Sequence, residues 1–421
     1  MKKIIKKIYY KIEFELASPM TIGTGENQFT DKDIARNSKG VPYIPGTALA
    51  GINRSFFDDN EEKERINKYF GNVSMEQIVE SRIVFYDAQI ADEEESYMVS
   101  NRDMVALDLY KTAIVGAKFD METLEPGIKF VTYMEQNYLD KNDEAIADEI
   151  VNHWLRNEVY LGAKTMRGYG AIRKVKVWKI AFGFASEDKS EKTLVEWLAF
   201  DMYRKSDWES AELVEKPEEE SRYMLQLELK QVGGISIRRY TTQLLQNEQE
   251  AVPDYEQLTV HEKEEILPVI PGTSWAGAFR HRMQQLVPDL NNKLCFGVVD
   301  EKEKVKSNIR FSETQISKAK AKIYSRNTIN RFTGGTVDGA LFTEKAYYGG
   351  ETTLVISFGK APEDKVKYAL AAAIADLHHG FLAVGGLTSI GRGCFQVKKV
   401  NGKEVEGDDI YQKAWELMKD W

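Results

Sequence analysis

The chain has 421 residues, 43% of them hydrophobic and 29% charged, which is the composition of an ordinary globular protein of two or three domains. A net charge of −9 argues against a uniformly basic, indiscriminate nucleic-acid binder, and no run of about eighteen apolar residues is present to cross a membrane. Two cysteines, Cys295 and Cys394, and five histidines without metal spacing argue against a disulfide framework and a thiolate zinc site, so no structural zinc is expected.

The opening, MKKIIKKIYYKIEFEL, lacks the apolar core and cleavage site of a signal peptide, and a cytoplasmic protein is expected. Alternation over 8–17 predicts a strand, followed by a loop over 18–42. At YIPG, Pro45 fixes φ and Gly46 releases it, and a helix is expected from near Thr47, whose hydroxyl suits an N-cap. A second helix is expected over 144–162, running into the glycine-rich LGAKTMRGYGAIR at 161–173. Acidic runs at 186–192 and 209–221 flank TLVEWLAFDMYRK, which reads as a linker helix packed on a neighbouring domain. Further on, VIPGTSWAGAFR at 269–280 starts another helix, and a last one over 366–386 enters GGLTSIGRGCF at 385–395.

These elements repeat. YIPGTALAGINR (43–54) answers VIPGTSWAGAFR, with Gly46 and Gly272 226 residues apart. The glycine tails keep nearly the same offset, Gly168 and Gly391 being 223 apart. RIVFYDAQI (82–90) matches NIRFSETQI (308–316), TAIVGAKF (112–119) matches GGTVDGALF (334–342), and the openings at 14–25 and 225–236 correspond loosely. A duplicated domain follows. The expected division is a first domain over 1–182, an acidic linker with a short helix over 183–222, and a second domain over 223–421. Strands with about two helices per repeat suggest a ferredoxin-like α+β sandwich, the RRM layout whose sheet face often carries single-stranded RNA.

Two features of each repeat suit phosphate. Consecutive amides of a glycine loop can form an anion nest, with Lys164, Thr165, Arg167 and Gly168 in one tail and Thr388, Gly391 and Arg392 in the other; the alternative is glycines that merely close a tight turn. The helix starts at Thr47 and Thr273 offer amide N–H groups, with Arg54 and Arg280 within reach of a phosphate; the alternative is a plain helix start with solvated arginines. No Walker ending or dinucleotide fingerprint is present.

The IPGT turn followed by a glycine-rich tail, twice, resembles the RAMP superfamily of CRISPR effector subunits. IARNSKGVPYIPGTALAG, RIVFYDAQI and TAIVGAKFDMETLEPG are similar to the crRNA-binding backbone subunit of type III complexes, here as a fused double repeat of III-D-like kind. The resemblance implies two tandem RAMP domains with loop and thumb insertions, the thumbs lying near 101–115 or after FDMETLEPG, and around Arg326–Val337. It implies crRNA, target single-stranded RNA and other effector subunits (backbone, large and small) as partners, and no membrane. It also implies an RNA-cleaving aspartate in the loop before IPGT, holding Mg²⁺ during attack by a ribose 2′-OH. Asp31, five before Arg36 and fifteen before Gly46, matches that place, with Asp33 as its competitor and an ordinary solvated acid as the alternative. In the second repeat Gln257 occupies the place fifteen before Gly272, and Asp254 stands three positions off. His261 reads as an ordinary loop histidine. A scaffold without catalysis, or a histidine-based guide-processing endoribonuclease, are the alternatives; the earliest histidine, His153, lies far from the chain start and argues against the latter.

Overall fold

The computed structural model describes residues 3–23, 34–57, 63–73, 78–92, 97–107, 113–184, 192–218, 223–239, 253–262, 265–290, 295–299, 304–405 and 409–421. They form two compact units. The first comprises Met1–Asn101, Met121–Thr165 and Gly170–Ser221, the second Arg102–Asp120, Met166–Tyr169 and Arg222–Trp421. The acidic segment with its short helix groups with the first unit, its helix packed on the first repeat. A hairpin arm and a four-residue turn of the first repeat fold with the second.

Each repeat is built on the same antiparallel sheet. In the first, β1 (Lys6–Leu16) pairs with β5 (Lys129–Tyr138) on one side and β6 (Ile172–Gly183) on the other, and β2 (Ile83–Phe85) flanks β5. Helix α1 (Gly46–Arg54) connects β1 to β2, and α3 (Ile146–Leu155) connects β5 to β6. In the second, β7 (Met224–Val232) lies between β14 (Glu351–Phe358) and β15 (Cys394–Val400), with β11 (Ile309–Phe311) beyond β14. Its helices are α5 (Gly272–Leu286) and α6 (Asp364–His379). Both are βαββαβ with strand order 4-1-3-2, the ferredoxin-like arrangement expected.

Period-two patterning creates the cores. On β1, Ile8, Tyr10, Ile12, Phe14 and Leu16 point towards α3 and bury against Ile150, Val151 and Trp154. In the second repeat Leu225, Leu227 and Leu229 do the same against Ala369, Ala373, Ile374 and Leu377 of α6. Two helices end earlier than the sequence predicts. Arg156 caps α3 and Asn157 follows at φ 57°, while Gly380 ends α6 at φ 81°, a left-handed residue that costs glycine little.

The second face of the first sheet is not an open RNA platform. Tyr9, Tyr133, Ile180 and Phe182 project from it and are covered by Trp197, Phe200, Met202 and Trp208. The cover includes α4 (Leu194–Ala199), which starts in a capping box: Thr193 accepts from the Glu196 amide, and Glu196 accepts from the Thr193 amide at 2.7 Å. The Trp197 indole donates to Tyr9 Oη at 3.0 Å, anchoring the cover. In the second repeat the corresponding face is polar, with Gln226, Lys230, Gln396 and Lys398 exposed. Neither face offers stacked aromatics in the RRM manner.

Two long hairpins leave the sheets, β3 (Val99–Leu107) with β4 (Ala113–Leu124) and β12 (Lys320–Ile329) with β13 (Thr336–Tyr348). The second is exposed over most of its length, and Phe332 near its tip is fully so. No helix among the described residues is long and apolar enough to cross a membrane.

Candidate functional site

The IPGT corner is a matter of steric clearance before it is one of chemistry. A Cβ on Gly46 would lie 2.5 Å from the Phe85 carbonyl oxygen, and one on Gly272 would lie 2.3 Å from that of Phe311, its counterpart. Only glycine lets the helix start rest directly on the neighbouring strand. Proline, at Pro45 and Pro271, is the extended residue before each helix, so Thr47 is not the N-cap: neither helix has a side-chain cap of that kind. Instead Asp87 Oδ1 accepts from the Gly46 amide at 2.7 Å, and the positive end of α1 already faces a carboxylate. The anion-binding reading of this helix start is thereby corrected.

The glycine tails are likewise turns. A Cβ on Gly170 would meet Leu161 O at 1.8 Å, and one on Gly393 would meet Val384 O at 1.9 Å, twin positions in the two repeats. The amides of Gly386, Gly391 and Gly393 donate to Ser236 O, Thr388 O and Gly234 O, and that of Gly170 to Pro19 O. These amides serve the chain's own carbonyls rather than a nest.

The basic candidates fall into distinct groups. Arg392 is a buried core residue: its Nη1 donates to Glu344 at 2.5 Å, the two side chains being 3% and 2% exposed. It presents no guanidinium to a phosphate, a correction to the sequence reading. Arg36 is held by Glu122 at 2.9 and 3.2 Å, and Arg54 by Gly71 O and Asn67 at 3.3 and 3.2 Å. Arg167 and Arg280 are exposed, the latter 6.0 Å from the Phe296 ring. Lys164 (φ 58°), Thr165, Thr273 and Thr388 are half-buried, whereas Thr47 and Gly391 are exposed. Within the second unit, Arg167 O and Gly168 rest against Gly272, Phe311 and Glu313. Gly391, the counterpart of Gly168, has open space around it.

Asp31 and Asp33 lie outside the described residues. Asp254 does not, and strand register revises its place. In the first repeat the Ala35 amide donates to Ile22 O and the Tyr43 amide to Ala35 O; in the second the Leu258 amide donates to Ile237 O and the Val269 amide to Leu258 O. Gly23 bridges Ile34 as Arg238 pairs with Gln257. Ala35 and Leu258 are thus equivalent at an offset of 223, whereas Tyr43 and Val269 are 226 apart. The second repeat carries three additional residues between these points, where β9 (Thr259–Glu262) and β10 (Glu265–Ile270) form a hairpin. Asp254 precedes Gln257 by three, as Asp31 precedes Ile34, and Glu256 corresponds to Asp33. Counting back from Gly272 crosses the insertion and misplaces the acid. Gln257 is structural: it is buried, accepts from the Ile237 amide at 2.6 Å and donates to Leu258 O and Val269 O.

Asp254 is exposed at the foot of the second hairpin, just before β8 (Tyr255–Gln257), which runs parallel to β13. Its Oδ2 accepts from the Thr343 amide at 2.6 Å and hydroxyl at 3.2 Å, and its own amide donates to Thr343 Oγ1 at 3.1 Å. Oδ1 makes no hydrogen bond among the described residues. Glu256 is engaged by Lys345 at 2.9 Å. The described residues contain no group of three potential metal ligands, and Asp254 Oδ1 is the carboxylate oxygen they leave without a hydrogen bond among them here. That fits Mg²⁺, which is commonly held by one or two carboxylates with substrate phosphate and water completing the shell.

A search of curated proteins found none that matches this chain. One similar solved chain comes from the cryo-EM structure of the Type III-B Cmr-beta bound to cognate target RNA, at 20% identity and a TM-score of 0.33. The match covers 41% of this chain and 61% of that one. The profile of the RAMP superfamily matches residues 13–173 and 233–396, taking in both repeats with their IPGT corners and glycine tails. This chain belongs to the RAMP superfamily.

Proposed function

We propose that the chain is a double-repeat backbone subunit of a type III CRISPR ribonucleoprotein, which grips crRNA and cleaves complementary target RNA beside each hairpin. The observation that carries this reading is Asp254: one oxygen is fixed by Thr343, the other has no hydrogen bond among the described residues, and the acid stands in the register of Asp31. Thr343 orients the carboxylate from the hairpin strand itself, tying the acid to the element that would stand beside the RNA. Mg²⁺, when bound at Oδ1, would stabilise charge developing on the scissile phosphate. Asp31 is proposed for the same role in the first repeat, with Asp33 and Glu256 beside the two acids in sequence. The exposed Arg167 and Arg280 remain the proposed contacts to RNA phosphates. Further backbone subunits, and the large and small subunits, are the proposed protein partners; the open space around Gly391, where its counterpart Gly168 is packed, supports a neighbour there.

The test is target-RNA cleavage by the reconstituted guide-loaded complex with Mg²⁺, comparing wild type with Asp31→Ala and Asp254→Ala. Each substitution is expected to remove one product band while guide binding stays unchanged. Persistence of every band with guide binding intact would make the subunit a scaffold.

A further inference from the structure

The foot of the second hairpin carries an aromatic and basic row that neither the cleavage site nor the glycine tails account for. Alternation along β12 puts Lys320, Lys322, Tyr324 and Arg326 on one face, and pairing sets Lys322 opposite Ala346, Tyr324 opposite Glu344 and Arg326 opposite Phe342. On that face Tyr324 and Tyr348 meet with ring centroids 5.6 Å apart. Phe342 meets Tyr255 of β8 edge-on at 5.9 Å, and the Arg238 guanidinium lies 4.0 Å over Tyr255. Lys322 and Arg326 stand 5.7 and 5.9 Å from the Tyr324 ring. The acids nearby are engaged: Glu344 with Arg392, Glu256 with Lys345, and one oxygen of Asp254 with Thr343. The hydrogen bond from Tyr348, then Lys322 and the Arg392 charge, outweigh desolvation and hold the Tyr324 phenol below its usual range. The opposite hairpin face carries Ile323 and Leu341, both exposed, among Ser325, Thr343 and Lys345.

We propose that Tyr324, Tyr348, Phe342 and Tyr255, with Lys322, Arg326 and Arg238, form a stacking subsite for unpaired RNA nucleotides, on the hairpin face opposite the Thr343 side chain. Ring faces take bases of any identity, and the interleaved cations take the phosphates between them. The subsite belongs to the second repeat. In the first hairpin Ser100 reaches Thr123, which corresponds to Ala346, so Arg102 stands where Tyr324 does. Arg102 is buried and paired with Glu313. This inference rests on the RNA-binding reading above and names the part of the RNA that the second hairpin holds.

The test uses the full chain loaded with guide RNA, with 2-aminopurine placed at single positions of the guide in one series and of an added target strand in another. Stacking on the row is expected to quench fluorescence at discrete positions, and the series that responds identifies the strand. Tyr324→Ala should abolish that quenching and weaken binding of single-stranded RNA about 5- to 100-fold, whereas Tyr324→Phe keeps both. Lys322→Ala should lower the slope of log affinity against log salt by about one. Ile323→Ala, on the opposite face, should leave the quenching unchanged. Unchanged quenching and affinity in Tyr324→Ala would overturn the subsite while leaving RNA binding in place. Equal loss in Tyr324→Phe would assign the effect to the hydroxyl and overturn stacking. A wild-type chain that bound no RNA would instead sink the parent reading.

Discussion

In the first repeat the acid after the second sheet strand, Asp87, caps the IPGT helix at 2.7 Å, whereas in the second its counterpart, Glu313, pairs with Arg102 at 2.7 and 3.1 Å. The backbone beneath them is the same: glycine against a carbonyl oxygen, at 2.5 and 2.3 Å from a hypothetical Cβ. A duplicated fold thus keeps its backbone contacts, because no other residue fits them, while its polar side chains have found new partners. The hairpin feet differ in the same way. Glu122 takes Arg36 in one repeat, and Lys345 takes Glu256 in the other.

The sharpest way to test this comparison is to neutralise the two equivalent acids. Glu313→Gln should destabilise the protein by roughly 3–5 kcal/mol, because it removes the buried carboxylate charge that faces the Arg102 guanidinium. Asp87→Asn should cost only about 0.5–2 kcal/mol, the range for a lost helix cap. Chemical denaturation followed by tryptophan fluorescence reads both, and equal losses would break the distinction. Next in size are Gly46→Ala and Gly272→Ala, each expected to cost about 1–3 kcal/mol through forced backbone shifts. Gly272→Ala should cost more, since its Cβ would also lie 2.6 Å from Arg167 O.

Acid sensitivity should separate the repeats more gently. Burial pushes the Asp143 and Glu15 carboxyls up, but the Leu139 and Asp140 amides with Lys68 and Arg82 outweigh this at Asp143, and Lys174 with Arg173 at Glu15. Both groups titrate below their usual range. Their stabilisation is therefore complete above about pH 5 and is lost as the pH falls through the folded values, below the ordinary carboxylate range near 4. The acids held low in the second repeat, Asp289, Glu351 and Glu416, are exposed and should contribute little. Stability measured between pH 6 and 3 should fall first in the first repeat, and Asp143→Asn should flatten that fall. Smallest of all is Arg36→Ala, which removes a half-exposed pair with Glu122 and should change stability by less than about 1 kcal/mol.

Much of the architecture was legible in the residues. The offset of 223 to 226 between landmarks revealed the duplication, and helix and strand periods were enough for a ferredoxin-like sheet. The helix ends were less legible, because apolar residues after Asn157 and Gly380 continue the pattern past the point where the backbone turns left-handed. The register of the candidate acid in the second repeat was not legible. Asp254 could be placed only once hydrogen bonds equated Leu258 with Ala35 and exposed the hairpin of β9 and β10 as the insertion.

Sequence alone determined the repeat, the glycine corners and the family, because these depend on local backbone limits that a single residue type meets. Tertiary structure alone decided which charges are available. Arg392 and Arg167 look alike in their glycine tails, yet one is buried against Glu344 and the other is exposed. Tyr255, Tyr324, Phe342 and Tyr348 become one row only through cross-strand pairing over as many as 89 residues. Side-chain pairing and desolvation are set by neighbours distant in the chain, and no local pattern encodes them.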